Sequence, residues 1–409
     1  MKNLRLALSL ITVVAITLSG NLAKAQTAPS TIKVGTSASI SGVMASGGVD
    51  TLDGEQIGVE HVNRAGGVYV KEFNKKIPME LIAVDDGSDA TKTVSNLEAL
   101  YAREKVIAYL SGFSSVLGAA GAAVGAKNKV PYLGTSIGIR QPHEVGNKYL
   151  FVPYNKTDDQ GRGHFDMIEY LIKREKDPTI GNIAIYTQQI DFGIEQTKVW
   201  RKEAQKRGLK IVYEGKYGPT DRDFSTLLME ARAAGAQTLL DTGNPAVTIA
   251  RLRQMKELNI SFKWFYTVLG AATERRWVSS LGPDGDYVAW GRAWNHVLKF
   301  PMVKELNETY LAKKSYLPDG QVGAGYCLVQ ILADAIEKAG TLDREKIRDA
   351  IASNKFTTVM GPIKFNPDGT ASGLIYFCDQ YQNQKDELVW PLDLASKLPA
   401  ITPPWSKRK

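Results

Sequence analysis

Groups that suit a small anion follow two successive strand-like runs of the sequence. Ser114 and Ser115 come after one apolar run and open a helical pattern, and Thr135 and Ser136 come directly after the next run. Where strands end and helices begin in a parallel sheet, the free amides and the helix dipole both favour negative charge. The two turns therefore predict a site that binds a carboxylate, with hydroxyl groups as additional donors.

The same residues also match a motif of serine hydrolases. Residues 134–138 have the sequence GTSIG, the pattern of a nucleophile elbow, and His164 and His296 follow as candidate bases. That elbow needs a helix directly after the serine, whereas Pro142 follows closely and favours a loop. We therefore expect no enzyme and no catalytic residue, and we keep a hydrolase using Ser136 as a remote alternative.

Metal-binding patterns are not evident in the sequence. The four histidines do not have the spacing of metal ligands. Asp85, Asp86 and Asp89 are close together but are not part of a twelve-residue calcium loop. We expect neither a metal site nor a cofactor.

The elements that would position the two turns alternate regularly between strand and helix. The strand-like runs are residues 32–35, 79–84, 106–110 and 130–133, and then 183–186, 211–213, 237–241 and 264–266. This alternation predicts an α/β fold with two doubly wound parallel-sheet lobes covered by helices. The chain after residue 286 has mostly helical patterns, and we expect those helices to complete the first lobe.

The N-terminus has the features of a secretory signal. Lys2 and Arg5 precede an apolar run at residues 6–18, and Ala23 and Ala25 are the small residues that a signal peptidase recognises. The run is shorter than the ~20 residues of a membrane span. We predict that residues 1–25 are a cleaved signal peptide and that the mature protein is periplasmic.

Composition restricts the class of partner. The 409 residues carry a formal net charge of +8, but we find no dense basic stripe interleaved with aromatic residues, so nucleic acid is not an expected partner. Cys327 and Cys378 are the two cysteines. In an oxidising compartment they either form a disulfide or remain as two buried thiols, and the sequence leaves both alternatives open.

Short fragments in a common order over most of the chain resemble the leucine/isoleucine/valine-binding proteins and their relatives that bind amides or aromatic acids. The fragments are IKVG at 32–35 with SG at 41–42, NRAGGV at 63–68, DD at 85–86, SGFSS at 111–115, YT at 186–187, DFG at 191–193, DFS at 223–225, and GPIKF at 361–365 with DG at 368–369. The resemblance implies a type I periplasmic binding protein fold. Lobe 1 would contain residues 30–155 and 290–375, lobe 2 residues 156–289 and 376–409, with a hinge of three crossings between them.

The resemblance also implies which residues contact a ligand. The two hydroxyl-bearing turns would hold its carboxylate, and large side chains near the hinge and in the second lobe would form apolar walls. The implied contacts are Ser114, Ser115, Thr135, Ser136, Tyr154, Phe192, Leu269 and Trp290.

One position departs from the pattern of the family. Members that bind α-amino acids have an acidic residue in the second lobe that neutralises the ligand ammonium, and the matching residue here is Leu269. A buried ammonium without a counter-charge is unfavourable. Asp241 or Glu274 could neutralise the ligand ammonium only from positions that do not match that of the family's acidic residue. An aromatic or aliphatic carboxylate therefore competes with a hydrophobic amino acid as the expected ligand.

The family's function implies the partners. We expect a monomeric substrate-binding component that delivers its ligand to an ABC permease in the inner membrane. A ligand sensor with the same bilobed fold is the alternative, although the sequence carries no fused signalling domain.

Overall fold

The computed structural model describes residues 27–268 and 274–408. The predicted signal peptide at residues 1–25 lies outside the described residues. Within the two described ranges, no helix combines the length and the apolar character needed to cross a membrane.

Helices account for most of the chain between the strands. They are α1 (Ala45–Arg64), α2 (Ala90–Ala99), α3 (Ser115–Asn128), α4 (Gln141–Glu144), α5 (Thr157–Glu175), α6 (Asp191–Arg207), α7 (Ser225–Ala233), α8 (Pro245–Glu257), α9 (Glu274–Leu281), α10 (Val303–Lys314), α11 (Gly320–Ala339) and α12 (Arg344–Ser353).

The strands are mostly short. They are β1 (Ile32–Ala38), β2 (Val68–Val70), β3 (Lys75–Ile77), β4 (Met79–Asp85), β5 (Tyr109–Ser111), β6 (Tyr132–Leu133), β7 (Leu150–Phe151), β8 (Asn182–Gln188), β9 (Lys210–Tyr217), β10 (Thr238–Asp241), β11 (Trp264–Thr267), β12 (Val288–Arg292), β13 (Lys355–Thr358), β14 (Gly361–Phe365), β15 (Ala371–Ser372), β16 (Phe377–Gln382) and β17 (Lys385–Trp390).

Two large sheets organise these elements. The first has the order β4-β1-β5-β6-β7 and is parallel throughout. The second has the order β17-β16-β12-β11-β10-β8-β9 and is parallel from β12 to β9. The predicted α/β fold with parallel-sheet lobes is confirmed, and we call the two sheets with their helices the first lobe and the second lobe.

The edge of the second sheet differs from the expected parallel arrangement. Strands β16 and β17 are antiparallel to each other, and β16 is antiparallel to β12. Asn383 and Gln384 join β16 and β17, and both have positive φ, as a two-residue hairpin turn of type I′ requires. Strand–helix alternation in the sequence does not predict this hairpin.

The late helices pack on the first sheet. Helix α11 lies so close to α1 that a Cβ atom on Gly54 would be 2.0 Å from the carbonyl oxygen of Val322. Glycine is therefore required where the two helix backbones meet. Buried side chains of both parts of the chain share one core, for example Ile32, Val34, Leu306, Leu328 and Ile351.

The chain passes between the two lobes at three places. The first crossing follows β7 and ends where α5 begins, the second follows β12, and the third joins β15 to β16. Strand β12 extends to Arg292.

The two cysteines are free thiols in separate places. Cys327 lies on α11 in the core of the first lobe, and Cys378 lies on β16 in the second sheet, and both are buried. Of the two alternatives left open by the sequence, the structure shows two buried thiols.

A buried acidic residue lies within the first lobe. Glu55 on α1 has no exposed surface. Burial raises the pKa of Glu55 well above its ordinary value, and the neighbouring Thr36 hydroxyl on β1 offsets only part of this effect. Folding therefore favours the protonated form of Glu55. Its contribution to the free energy of unfolding is fully present below the pKa that Glu55 has in the unfolded chain. That contribution is lost as the pH rises from this value towards the raised pKa of the folded protein.

We predict that Glu55→Gln raises the melting temperature at pH 7 by roughly 2–5 °C, because it keeps the shape and removes the buried ionisable group. The gain should be larger at pH 8 than at pH 5 in scanning calorimetry. Glu60→Gln is the control, since Glu60 is on the same helix but forms salt bridges with Arg64 and Lys313 at the surface. A lower melting temperature of Glu55→Gln at pH 7 would contradict the assignment.

Candidate functional site

The two predicted hydroxyl-bearing turns lie side by side. They follow β5 and β6, which are paired strands of the first sheet. The Ser115 hydroxyl donates a hydrogen bond to the carbonyl oxygen of Ser136 (3.2 Å). Ser114 precedes α3 as its N-cap, and its side-chain oxygen accepts a hydrogen bond from the Leu117 amide (3.4 Å). The structure therefore brings together the residues that the sequence placed in one site.

The hydroxyl groups of these turns differ in what they bind. Ser115 Oγ also accepts a hydrogen bond from the Gly138 amide (3.0 Å), so this hydroxyl connects the start of α3 to the second turn. Ser136 Oγ donates to Gln321 Oε1 (2.7 Å). Thr135 is 1% exposed, and its Oγ1 has no hydrogen-bond partner among the described residues. Among the hydroxyl groups of the two turns, that of Thr135 is therefore buried without a partner in the described part of the chain.

The environment of Ser136 does not match a hydrolase site. Ser136 has a φ of +57°, a left-handed conformation also adopted by nucleophile elbows, but α4 does not begin directly after it. The candidate bases are engaged elsewhere: His164 Nδ1 accepts from Trp200 Nε1 (2.7 Å), and His296 is hydrogen-bonded to the backbone at Pro318. Within the described part of the chain, no histidine is hydrogen-bonded to Ser136.

A ring from the second lobe covers the second turn. Phe192 lies at the start of α6, and a Cβ atom on Gly138 would be 2.8 Å from its ring. Glycine is therefore required at this position for the ring to approach. The Gly138 carbonyl oxygen accepts a hydrogen bond from the Thr157 amide at the start of α5 (3.0 Å). Phe192 thus lies against the turn.

Polar groups of α5 and α6 hold the end of the same turn. Glu195 accepts hydrogen bonds from the Arg140 amide (3.1 Å) and from the Thr157 hydroxyl (2.6 Å). The Arg140 guanidinium forms two hydrogen bonds to Asp158, of 3.0 and 2.7 Å. These contacts connect the first lobe to the second lobe beside the hydroxyl groups. The sequence does not predict these contacts, because a helical pattern is local and does not show which helices meet.

A buried amine lies beneath the turn. Lys156 is almost completely buried, and its Nζ donates a hydrogen bond to the carbonyl oxygen of Ile137 (2.6 Å). Burial, and next the nearby charge of Arg140, lower the pKa of Lys156 to about 7. An anion bound at the adjacent turn would favour the charged form of this amine.

A small cavity lies where the three crossings meet. Its volume is about 10 Å³, which is close to the space that one water molecule needs. The residues that line it are Tyr154, Asn155, Gln160, Val268, Gly291, Arg292, Ala293 and Tyr376. Burial raises the pKa of Tyr154, and the nearby side chains of Gln321 and Ser136 oppose this change, so Tyr154 lies between the hinge cavity and the second turn.

One of the predicted contacts, Trp290, is not brought to the turns. Trp290 packs in the second lobe, where its ring is stacked at 6.5 Å from that of Tyr381 and its Nε1 donates to Asp386 (3.1 Å). The neighbouring Gly291 lines the hinge cavity instead. Leu269 lies outside the described residues.

Asp241, considered as an alternative partner for a ligand ammonium, is already paired. It is fully buried in an ion pair with Arg251 and accepts a hydrogen bond from the Tyr217 hydroxyl (2.7 Å). Burial raises the pKa of Asp241, and the charge of Arg251 opposes that change. The Asp241 carboxylate therefore neutralises the charge of Arg251. The side chain of Glu274, the other alternative, is not among those described.

Gln321, the second residue of α11, is a further site residue that the sequence does not predict. It reaches the second turn from a position 185 residues further along the chain. A helix start after the capping residue Asp319 was the only local signal, and it does not indicate which turn the helix approaches.

Comparisons with known proteins agree with the two-lobed architecture. A family model described as a periplasmic binding protein matches residues 31–383. A leucine-, isoleucine-, valine-, threonine- and alanine-binding protein of Pseudomonas aeruginosa is 26% identical over 84% of this chain and 87% of its own length.

Two solved structures have the same fold. One is a branched-chain amino acid transporter substrate-binding protein of Streptococcus pneumoniae in complex with isoleucine, with a TM-score of 0.76 and 21% identity, covering 87% of this chain and 97% of that one. The other is a solute-binding protein of an ABC transporter of R. palustris in complex with benzoate. It has a TM-score of 0.73 and 17% identity, and the match covers 91% of this chain and 97% of that one.

The different hydrogen bonding of Ser115 and Thr135 predicts opposite effects on stability without any ligand. Ser115→Ala leaves the Gly138 amide and the Ser136 carbonyl without a partner, and we expect a loss of about 1–3 kcal/mol in the free energy of unfolding. Thr135→Val removes a buried hydroxyl that no described residue binds, and we expect no loss or a gain of up to about 1 kcal/mol. Urea unfolding measures both.

Thr238→Val is the control for the second substitution, because the buried Thr238 hydroxyl donates to the carbonyl oxygen of Ile180 (2.7 Å). It should destabilise the protein. Equal destabilisation by Thr135→Val and Thr238→Val would show that the Thr135 hydroxyl has a structural role.

Proposed function

The chain belongs to the periplasmic binding protein family, and we propose that it captures a small hydrophobic carboxylate between its two lobes for an ABC importer of the branched-chain amino acid type. The observation that carries this proposal is the buried Thr135 hydroxyl, which has no partner in the described chain and belongs to the turn whose Ser136 carbonyl accepts from Ser115 at the start of α3. Such a hydroxyl and the N-terminal amides of a 14-residue helix suit a carboxylate.

The charges around the site support a ligand without an ammonium group. Asp241 is paired with Arg251, and the sequence has Leu269 where amino-acid binders of the family have an acidic residue. Phe192 offers an aromatic surface against the turn. We therefore propose an aromatic or aliphatic carboxylate as the ligand. The complex of the R. palustris protein with benzoate supports this class.

A hydrophobic amino acid is the second candidate. The relative from Pseudomonas aeruginosa binds leucine, isoleucine, valine, threonine and alanine, and the Streptococcus pneumoniae protein was solved with isoleucine. In this reading a carboxylate from another part of the second lobe would have to neutralise the ammonium, because leaving it unpaired costs several kcal/mol.

We propose that ligand binding is coupled to closure about the three crossings. The predicted bounds are residues 30–155 and 290–375 for lobe 1 and residues 156–289 and 376–409 for lobe 2. Contacts of Phe192 and Glu195 with the turn of the first lobe support a closed arrangement in which both lobes surround the ligand.

The proposed setting is the periplasm, after removal of residues 1–25, with the protein acting as a monomer that delivers ligand to a permease of the inner membrane. Catalysis is not part of the proposal, since the Ser136 hydroxyl donates to an amide oxygen and not to a histidine. A sensor of the same fold would report occupancy to a receptor, and genes for a permease beside this gene would favour transport.

The first test of the ligand class is a thermal-shift panel of benzoate, phenylpropanoate, phenylalanine, leucine and isoleucine. A ligand with a Kd near 1 μM should add ~2.7 kcal/mol of stability at 100 μM. We expect the acids without an α-amino group to raise the melting temperature more than the amino acids do. Leu269→Glu should narrow or reverse that order, and a wild-type protein that responds only to amino acids would contradict the proposed class.

The second test concerns Thr135. Thr135→Val should weaken binding of the best carboxylate of that panel by roughly 1.5–3 kcal/mol, the usual contribution of a hydrogen bond to a charged group. Calorimetry measures the change, and Thr238→Val, far from the turns, should bind as the wild type does. Unchanged affinity of Thr135→Val would remove this hydroxyl from the site.

A further inference from the structure

A buried amine lies at the first crossing between the lobes. Lys156 is 1% exposed, and its Nζ donates a hydrogen bond to the carbonyl oxygen of Ile137 in the second turn (2.6 Å). Its backbone directly precedes α5. In the described ranges of the chain, no carboxylate forms a salt bridge with this amine. Lysine side chains are rarely buried so completely without a paired charge, so this position requires an explanation.

The hydrogen bond of Lys156 is the first of a continuous series. The Ile137 carbonyl and the Gly138 amide belong to one peptide unit, and that amide donates to Ser115 Oγ (3.0 Å). The Ser115 hydroxyl in turn donates to the carbonyl oxygen of Ser136 (3.2 Å). Hydrogen bonds in such a series polarise one another. A positive charge on the amine therefore strengthens the donors of the two hydroxyl-bearing turns.

Charged groups face Lys156 from four parts of the chain. They are Arg140 before α4, Asp159 on α5, Glu195 on α6 and Asp368 before β15. Each carboxylate accepts a hydrogen bond from another side chain: Asp159 from Arg162, Glu195 from Thr157 and Asp368 from Thr370. Burial, and next the charge of Arg140, lower the pKa of Lys156 to about 7, so both forms of the amine are present at neutral pH.

His143 on α4 is the other buried base of this region. Its Nδ1 donates a hydrogen bond to the carbonyl oxygen of Asp368 (2.8 Å). Burial, and next the charge of Lys156, lower the pKa of His143 to about 4. His143 is therefore neutral between pH 6 and pH 8, and Lys156 is the buried base that changes its charge in that range.

We propose that Lys156 is a positioning residue that takes up a proton when a carboxylate binds at the two turns. This inference rests on the proposed function and adds a coupling between ligand and proton to it. A negative charge at the turns favours the charged amine, because charges in a buried region are weakly screened. By reciprocity, the charged amine favours the bound carboxylate. The amine acts through the peptide unit of Ile137 and Gly138 and does not itself touch the carboxylate.

The direction of the pH dependence follows from this coupling. A bound carboxylate raises the pKa of Lys156 above its value of about 7 in the ligand-free protein. At low pH the amine is charged with and without a ligand, and the affinity is highest. The affinity falls as the pH rises through the two pKa values and stays low above both. A tenfold total fall corresponds to an uptake of about half a proton per bound molecule midway through the transition.

The test is isothermal titration calorimetry of the wild type with benzoate and, separately, with isoleucine. Neither compound changes its own charge appreciably between pH 6 and pH 8. Titrations at pH 7.5 in phosphate and in Tris give the number of protons taken up, because the two buffers differ in their enthalpy of ionisation. For whichever compound binds, we expect an uptake of about 0.3–0.5 protons and an affinity that falls about two- to fivefold from pH 6 to pH 8.

Two substitutions of Lys156 separate its charge from its hydrogen bond. Lys156→Met removes both, whereas Lys156→Gln keeps a donor for the Ile137 carbonyl and cannot titrate. Both variants should take up no protons, and their affinity should vary less than about 1.5-fold from pH 6 to pH 8. Circular dichroism checks that they are folded, and Lys156→Gln alone carries the test if Lys156→Met does not fold.

The matched control is Lys173→Met, since Lys173 is exposed on the same helix, α5. His143→Gln is a second control, because it removes the other buried base of the region. Both controls should show the proton uptake and the pH dependence of the wild type.

Three outcomes count against the proposal. Binding of benzoate or isoleucine to the wild type without proton uptake would overturn the coupling and leave the proposed function intact. An uptake that persists in Lys156→Met and Lys156→Gln would assign the proton to another group and overturn the role of Lys156. If no compound of the thermal-shift panel binds, the proposed function fails and this inference fails with it, so the two failures are distinguishable.

Discussion

The arrangement of the site depends on a single residue without a side chain, Gly138. Its amide donates to the Ser115 hydroxyl, its carbonyl accepts from the Thr157 amide, and its open face lies against the ring of Phe192. A turn of the first lobe, the helix that begins after the first crossing and a ring of the second lobe therefore meet at one peptide unit. A side chain here would separate the two lobes at the place where the hydroxyl groups are held.

This constraint divides the polar groups of the site into two kinds. Ser115, Ser136 and Glu195 form hydrogen bonds within the protein and hold the turns in place. Thr135 is buried, and its hydroxyl oxygen has no hydrogen-bond partner among the described residues. Because groups of the first kind are already ordered by these hydrogen bonds, ligand binding costs less conformational entropy. Groups of the second kind are unfavourable in isolation and gain most when a complementary ligand is bound.

Much of the fold followed from the sequence, because strand–helix alternation has a local cause in hydrophobic periodicity. The two hydroxyl-bearing turns were also predictable, since parallel strands place their carboxyl ends at one edge of the sheet. The position of Trp290 was not predictable, because an aromatic residue at a crossing has the same local sequence pattern whether it faces a cleft or the core. Gln321 could not be found locally either, since only the packing of α11 against α1 brings it to Ser136.

The most direct test of the account is whether a ligand closes the lobes through this turn. Small-angle X-ray scattering of the wild type should show a smaller radius of gyration with the carboxylate that binds most tightly than without it. In Gly138→Ala the added methyl group would meet the Phe192 ring, so the radius of gyration should stay at the ligand-free value under the same conditions. Identical wild-type curves with and without saturating ligand would contradict the account.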